Sequence, residues 1–249
     1  MILRKGRLPS HQYPRYYHWL VECVPRMLLL ADAVRKYKEP PVTLFVPNGP
    51  PFIEETLRLL PQDTFAAFTV LRRRDPGTKI RADVVYVPHW TGAPRGVDGA
   101  AAAERSQTKL VLVSRGAGEA RALGNEEAIR LALLHVARQH LLDFVVFDGR
   151  SSSMTETLHL FRTAALVVGV HGAGLANAIF CGRGAAMLEL ALPEPEFAEY
   201  RHLAQSLDLR YAASFLPPSN FEARAWPRPS EVASAAEKLL SGARQEALY

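Results

Sequence analysis

Apolar residues recur with helical spacing from Tyr16 to Val34, where Leu20, Val24, Met27, Leu28, Ala31 and Val34 share one face. The spacing predicts a helix, kinked at Pro25, whose ring removes a backbone donor. A short β-branched run, Val42 to Val46, closes on Pro47, Asn48 and Gly49 and reads as a strand. A helical pattern over Phe52 to Leu60 follows, then strand candidates at Phe68 to Leu71 and Asp83 to Val87. From Thr91 to Gln107 the composition turns to Gly, Pro and Ala with few large apolar residues, which is the signature of a linker. Beyond it the alternation is cleaner. Strands are predicted at Lys109 to Val113, Phe144 to Phe147, Leu166 to Val170, Ala185 to Leu190 and near Tyr211. Helices are predicted over Asn125 to His140, Met154 to Ala164, from Leu175, Glu196 to Leu207 and Ser230 to Leu240.

Strands separated by helices in this way imply right-handed βαβ units and parallel sheets. The expectation is an α/β protein with a domain over residues 1–95, a linker over 96–107, a Rossmann-like domain over 108–225 and a closing helical segment over 226–249. Thr163 to Gly182 is uncharged if His171 is neutral, and so invites comparison with a membrane span. Gly169, His171, Gly172, Gly174 and Asn177 break it into a strand, a glycine turn and a helix start, which suits a buried parallel strand.

At 249 residues, 48% hydrophobic and 22% charged, the chain is neither disordered nor collagen-like. Thirty Lys and Arg against 25 Asp and Glu leave a net charge of +5, which favours a phosphate-bearing partner without naming it. Apart from Arg72, Arg73 and Arg74 the basic residues are scattered and there is no polybasic tail, so nucleic acid is not the expected partner. Cys23 and Cys181 lie far apart inside apolar segments and read as buried thiols rather than a disulfide. No His-x-x-x-His, Cys-x-x-Cys or Asp-x-Asp pair occurs, so no metal is expected. Met1 to Gly6 lacks the apolar core of a signal peptide, and localisation stays open.

Ligands of open parallel sheets bind beyond the carboxyl ends of the strands, which directs attention to three places. The first is Ser114-Arg115, with Arg121 and Asn125 following. A forked guanidinium suits a diphosphate, and pairing with Glu119 or Glu126 is the plainer alternative. Asn125, ahead of Glu126 and Glu127, also fits a helix N-cap, and Ser153 with Glu156 fits a capping box. The second is His171-Gly172-Ala173-Gly174-Leu175-Ala176-Asn177, where glycines would let backbone donors at a helix start approach a phosphate. His171 could equally be a core histidine bonded to a backbone carbonyl. The third is Glu189, which reads either as an acceptor for a ribose diol or as a solvated carboxylate.

In the first half His18, Glu22 and Arg26 are spaced to form one polar stripe, beside Tyr16, Tyr17 and Trp19. The stripe is either an ordinary helix surface or, with exposed aromatics beside a His and a carboxylate, a sugar-binding cleft with a general base.

Together, Tyr16-Tyr17-His18-Trp19-Leu20-Val21-Glu22 with Pro25-Arg26, Ser114-Arg115 with Arg121 and Asn125-Glu126, and His171 to Asn177 with Phe180 and Leu188-Glu189-Leu190 resemble glycosyltransferase family 61. The resemblance spans about residues 13 to 190. It implies a GT-B fold of two Rossmann-like domains facing a cleft, in an inverting transferase that takes a nucleotide sugar, often UDP-linked, to a glycan or protein hydroxyl without a metal or other cofactor. It also implies roles: Ser114, Arg115, Arg121, His171, Gly172, Ala173, Gly174, Leu175 and Asn177 toward the donor and its diphosphate, Glu189 toward the ribose, His18 or Glu22 as base, and Trp19 and Arg26 on the acceptor side. The final helix would pack back toward the first domain. The chain is short for such an enzyme and opens almost directly on the His18 segment, so the first sheet is expected to be incomplete. A non-catalytic nucleotide-binding relative is the competing expectation, and a basic phosphate- or nucleic-acid-binding protein a third.

Overall fold

The computed structural model describes residues 15–47, 49–73, 107–116, 119, 121–150, 152–191, 198–215 and 225–242. The strand expected at Asp83 to Val87 and nearly all of the expected linker lie outside these. The chain divides into two compact units, Met1–Gly92 and Ala93–Tyr249.

In the first unit the long helical pattern is realised as two joined pieces. His18–Cys23 is wound as a π-helix, and α1 continues as a regular helix over Val24–Tyr37. Pro25 explains the change. It has no N–H to offer the preceding turn and its ring crowds the carbonyl four residues back, so the turn before it widens. The distortion anticipated at Pro25 is thus a change of helical register. Leu20, Val24, Met27, Ala31 and Val34 are buried along one face, as their spacing requires. Strand β1 (Val42–Pro47) pairs in parallel with β2 (Phe68–Arg73). Between them run α2 (Pro51–Leu59), which buries Ile53 and Leu57, and a short α3 (Gln62–Ala66) that the hydrophobic pattern did not announce.

The second unit is built on five parallel strands: β3 (Lys109–Val113), β4 (Asp143–Phe147), β5 (Ala164–Val170), β6 (Ala186–Ala191) and β7 (Arg210–Phe215), in the order β4-β3-β5-β6-β7. Every residue of β5 and β6 is buried, so both faces of the sheet's centre are covered. On one face α4 (Glu126–Gln139) and α7 (Pro229–Leu240) pack against each other over Leu110, Leu112, Leu166 and Leu188. Val111 and Val113 alternate to the opposite face. That face carries α5 (Met154–Arg162), a 3₁₀ segment (Ala173–Phe180) and α6 (Glu199–Ser206). The α5 start is closed by a capping box in which the Ser153 hydroxyl accepts the Glu156 N–H and the Glu156 carboxylate accepts the Ser153 N–H.

Two expectations change. The helix expected from Leu175 is a 3₁₀ segment, because the Asn177 amide donates to the Gly174 carbonyl at 2.9 Å and the first turn closes three residues apart, with the Leu175 N–H on the Gly172 carbonyl at 3.0 Å. Asn125 stands at the N-cap position of α4 but does not cap it: its side-chain oxygen takes no backbone N–H of the helix, while its side-chain N–H donates to the Pro227 carbonyl at 2.8 Å. The last helix buries Val232, Ala236 and Leu239 in the core of the second unit. Among the described residues no helix is long and apolar enough to cross a membrane.

Leu188 lies on β6 with no exposed surface, in the layer under α4 and α7. Leu188→Ala should lower the stability of this unit by about 2–5 kcal/mol. Denaturant unfolding checks it: the midpoint should fall with the slope unchanged.

Candidate functional site

In the strand order β4-β3-β5-β6-β7 the chain leaves β3 toward β4 and then crosses back to β5, so connections diverge on either side of the β3/β5 pair. Such a divergence opens a crevice beyond the carboxyl ends of those two strands. The sequence motifs Ser114-Arg115 and His171-Gly172 end these strands side by side, Val113 pairing with Gly169.

Ser114 is fixed within the protein. Its hydroxyl donates to both carboxylate oxygens of Glu126, at 2.8 and 3.0 Å, which ties the end of β3 to the start of α4. Arg115 and Arg121 converge on one acceptor, the His171 carbonyl, with Arg121 Nη1 at 2.7 Å and Arg115 Nη1 at 3.5 Å. Arg121 adopts a left-handed backbone with φ of 61°. A non-glycine residue there costs of order 1 kcal/mol or more, and such residues concentrate where a side chain must be aimed. Arg115 is mostly buried and lies 4.0 Å from Glu119, whose other oxygen is taken by Arg150 at 2.6 Å. The Glu119 pairing weighed from sequence is therefore a loose one.

The glycines of the turn also make room for their neighbours. A Cβ on Gly172 would collide with the Arg115 guanidinium, and one on Gly174 would sit 2.6 Å from Val113 Cγ1. Gly172 is in extended conformation with φ of 162°, open to any residue, so a side chain there would meet no backbone strain but would displace the Arg115 guanidinium. Ala173 is exposed, while Leu175 and Asn177 are buried inside the 3₁₀ segment.

His171 is buried with its Nδ1 2.6 Å from Glu189 Oε1. A carboxylate only accepts, so Nδ1 carries the proton. Its ring meets Tyr200 edge-on at 5.2 Å, and the Tyr200 hydroxyl donates to the Gly172 carbonyl at 2.5 Å. Glu189 has no exposed surface, and its second oxygen accepts the Tyr211 hydroxyl at 2.5 Å. This burial corrects the solvated-carboxylate alternative for Glu189: each of its oxygens has a protein donor. Glu126, Tyr200 and Tyr211 were not singled out from sequence as site residues. Only Glu126 carried a signal, its place beside Asn125 in the motif.

In the first unit His18 Nδ1 lies 2.8 Å from Glu22 Oε1, and Arg26 Nη1 lies 4.0 Å from the other Glu22 oxygen. The stripe predicted from spacing exists, and its His and Glu are substantially exposed, at 53% and 39% of the side chain. The aromatics beside it do not form the exposed cluster expected. Trp19 is 3% exposed, with its indole N–H unpartnered among the described residues, and Tyr16 is half-buried edge-on against Phe52. Both cysteines are free, and burial pushes the Cys181 thiol up to about 12. Among the described residues no three metal-ligating side chains cluster.

A family model described as Glycosyltransferase 61 matches residues 16–188, from the aromatic start of the π-turn to β6. The chain belongs to this family. Among curated relatives, the dog protein named Protein O-linked-mannose beta-1,4-N-acetylglucosaminyltransferase 2 is 30% identical over 127 residues, 49% of this chain and 19% of its own length. The mouse protein of that name is 28% identical over 141 residues, 55% and 22% respectively. The human one is 28% identical over 128 residues, 49% and 20%. Each matched region is about a fifth of the relative's length. The family match ends one residue before Glu189, so Glu189, the partner of His171, and Tyr211, which donates to Glu189, lie beyond it.

Burial, reinforced by the neighbouring Glu189 carboxylate, raises the Tyr211 hydroxyl above the usual tyrosine range. A phenol raised in the folded state contributes stability that is complete below its unfolded pKa, about 10, and is lost as pH climbs toward the folded value. Wild-type protein should therefore lose stability more steeply above about pH 10 than Tyr211→Phe. Denaturant midpoints taken in steps through that range test this; parallel curves would remove the Tyr211–Glu189 bond from the account.

Proposed function

We propose that this chain is the donor-binding and catalytic part of an inverting glycosyltransferase that moves a sugar from a nucleotide-linked donor, UDP-linked in the first instance, to a hydroxyl of a glycan or protein. The observation that carries this reading is the convergence of Arg115 and Arg121 at the β3/β5 crevice, two cations at the position where open α/β sheets take ligands. The relatives' names specify an N-acetylglucosaminyl group, which makes that sugar the first to try.

The reaction is a direct displacement. The acceptor oxygen bonds to the anomeric carbon as the bond from that carbon to the diphosphate oxygen breaks, and the nucleoside diphosphate leaves with the electron pair. The acceptor proton passes to a base. His18 and Glu22 are the candidates, hydrogen-bonded to each other and exposed enough to reach a hydroxyl. The guanidinium groups of Arg115 and Arg121 offer fixed positive charge to the departing diphosphate, and charge-assisted bonds of this kind contribute about 1.5–3 kcal/mol each. With that charge supplied by arginine, turnover is expected to need no metal. Acceptor positioning falls to Arg26 and, from beneath the surface, Trp19.

Calorimetric titration of the chain with UDP, GDP and CMP in EDTA is the test. UDP should bind selectively, and Arg115→Ala should weaken it by about 10- to 150-fold, the loss of one charge-assisted contact. A folded chain that binds no nucleotide would sink this reading. Affinity without glycosyl transfer to any acceptor would favour the non-catalytic relative. In a chain that does turn over, His18→Ala or Glu22→Ala should slow it by about 10²- to 10⁴-fold, whichever is the base.

A further inference from the structure

Trp226 is the one exposed large aromatic on the second unit's described surface, 60% accessible where most such side chains are covered. Its position is built with care. The Gly124 N–H donates to the Ala225 carbonyl at 2.8 Å, the Ala225 N–H donates to the Ala122 carbonyl at 3.0 Å, and the Asn125 amide holds the Pro227 carbonyl at 2.8 Å. Leu123 and Ala225 form an isolated parallel bridge. These bonds clamp the residues on both sides of Trp226 to the segment that carries Arg121.

The indole lies on Gly124. A Cβ added to that glycine would strike Cε2, Cζ2 and Cδ2, with Cε2 nearest. Cε2 is a ring-fusion atom and the other two are its bonded neighbours on the six-membered ring, so the glycine meets the face of the indole rather than its edge. One face is thus covered by backbone, and the high accessibility belongs to the rest of the ring. Position 124 is also only three residues from Arg121, and three residues of chain reach at most about 11 Å. The backbone positions from which the indole seat and the Arg121 side chain arise are therefore no farther apart than the length of a nucleoside diphosphate, roughly that same reach.

We propose that Trp226 is the stacking platform for the base of a nucleoside diphosphate whose phosphates engage Arg115 and Arg121; this rests on the donor-binding reading above. Stacking accepts any planar base, so Trp226 supplies affinity, and discrimination among bases falls to other groups. The face-down seat on Gly124 holds the ring in place before the ligand arrives, which lowers the ordering cost of binding.

The test compares UDP with inorganic pyrophosphate, which has the phosphates and no base, by calorimetry on the full chain, with thermal melts as a folding control. Trp226→Ala should weaken UDP by about 5- to 150-fold while leaving pyrophosphate within twofold, and Trp226→Phe should retain most of the UDP affinity. Gly124→Ala, which forces the indole off its seat without removing it, should weaken UDP in the same selective way. UDP bound equally by wild type and Trp226→Ala overturns the proposal, as does a variant that loses UDP and pyrophosphate alike. A wild-type chain that binds neither ligand overturns the donor-binding reading itself, and this one with it.

Discussion

Taking the Glu189 carboxylate fully out of water obliges the sheet to surround it with donors, since an unpaired buried charge costs several kcal/mol. The donors come from the two neighbouring strands. His171 stands at the end of β5 and Tyr211 on β7, so three consecutive strands of the sheet, β5, β6 and β7, are fixed in register by one side chain. That fixing passes outward. With Nδ1 committed to Glu189, the His171 ring is set against Tyr200, Tyr200 holds the Gly172 carbonyl, and the His171 carbonyl is left as the acceptor on which Arg115 and Arg121 meet. The cationic end of the crevice is thus organised from inside the sheet.

The two arginines reach that carbonyl by different routes. Arg115 follows directly from β3 and occupies the space left by the bare Gly172, whereas Arg121 comes from a loop and takes a left-handed backbone to do so. Each arrangement carries a local cost, a missing side chain in one case and backbone strain in the other. Two costs at one carbonyl fit a place where a guanidinium must be aimed better than one where it only has to be accommodated.

Much of the fold was legible in the sequence because a parallel sheet buried on both faces leaves continuous apolar runs, and Ala164 to Val170 is such a run. The strand ends bearing Ser114-Arg115 and His171-Gly172 could be placed for the same reason. Their neighbours could not. The burial of Glu189 depends on Tyr211, 22 residues away on another strand, and no periodicity reports that pairing. Trp19 was misread as exposed because the helical face it occupies depends on the π-turn, which shifts the phase of everything before Pro25. The seat of Trp226 on Gly124 joins residues about a hundred apart, beyond the reach of any local pattern.

The π-turn also sets an angular relation within the polar stripe. A widened turn holds one residue more than an α-turn, and each residue of a regular helix advances the chain by about 100° and 1.5 Å. Deleting a single residue between Glu22 and Pro25 would let the regular winding run through, and would swing His18 and Glu22 together about a quarter-turn around the axis relative to Arg26. The pair would stay bonded and Arg26 would point elsewhere. The azimuth of the stripe is therefore stored in the residue count between Glu22 and Pro25, and insertions or deletions there act on direction before they act on stability.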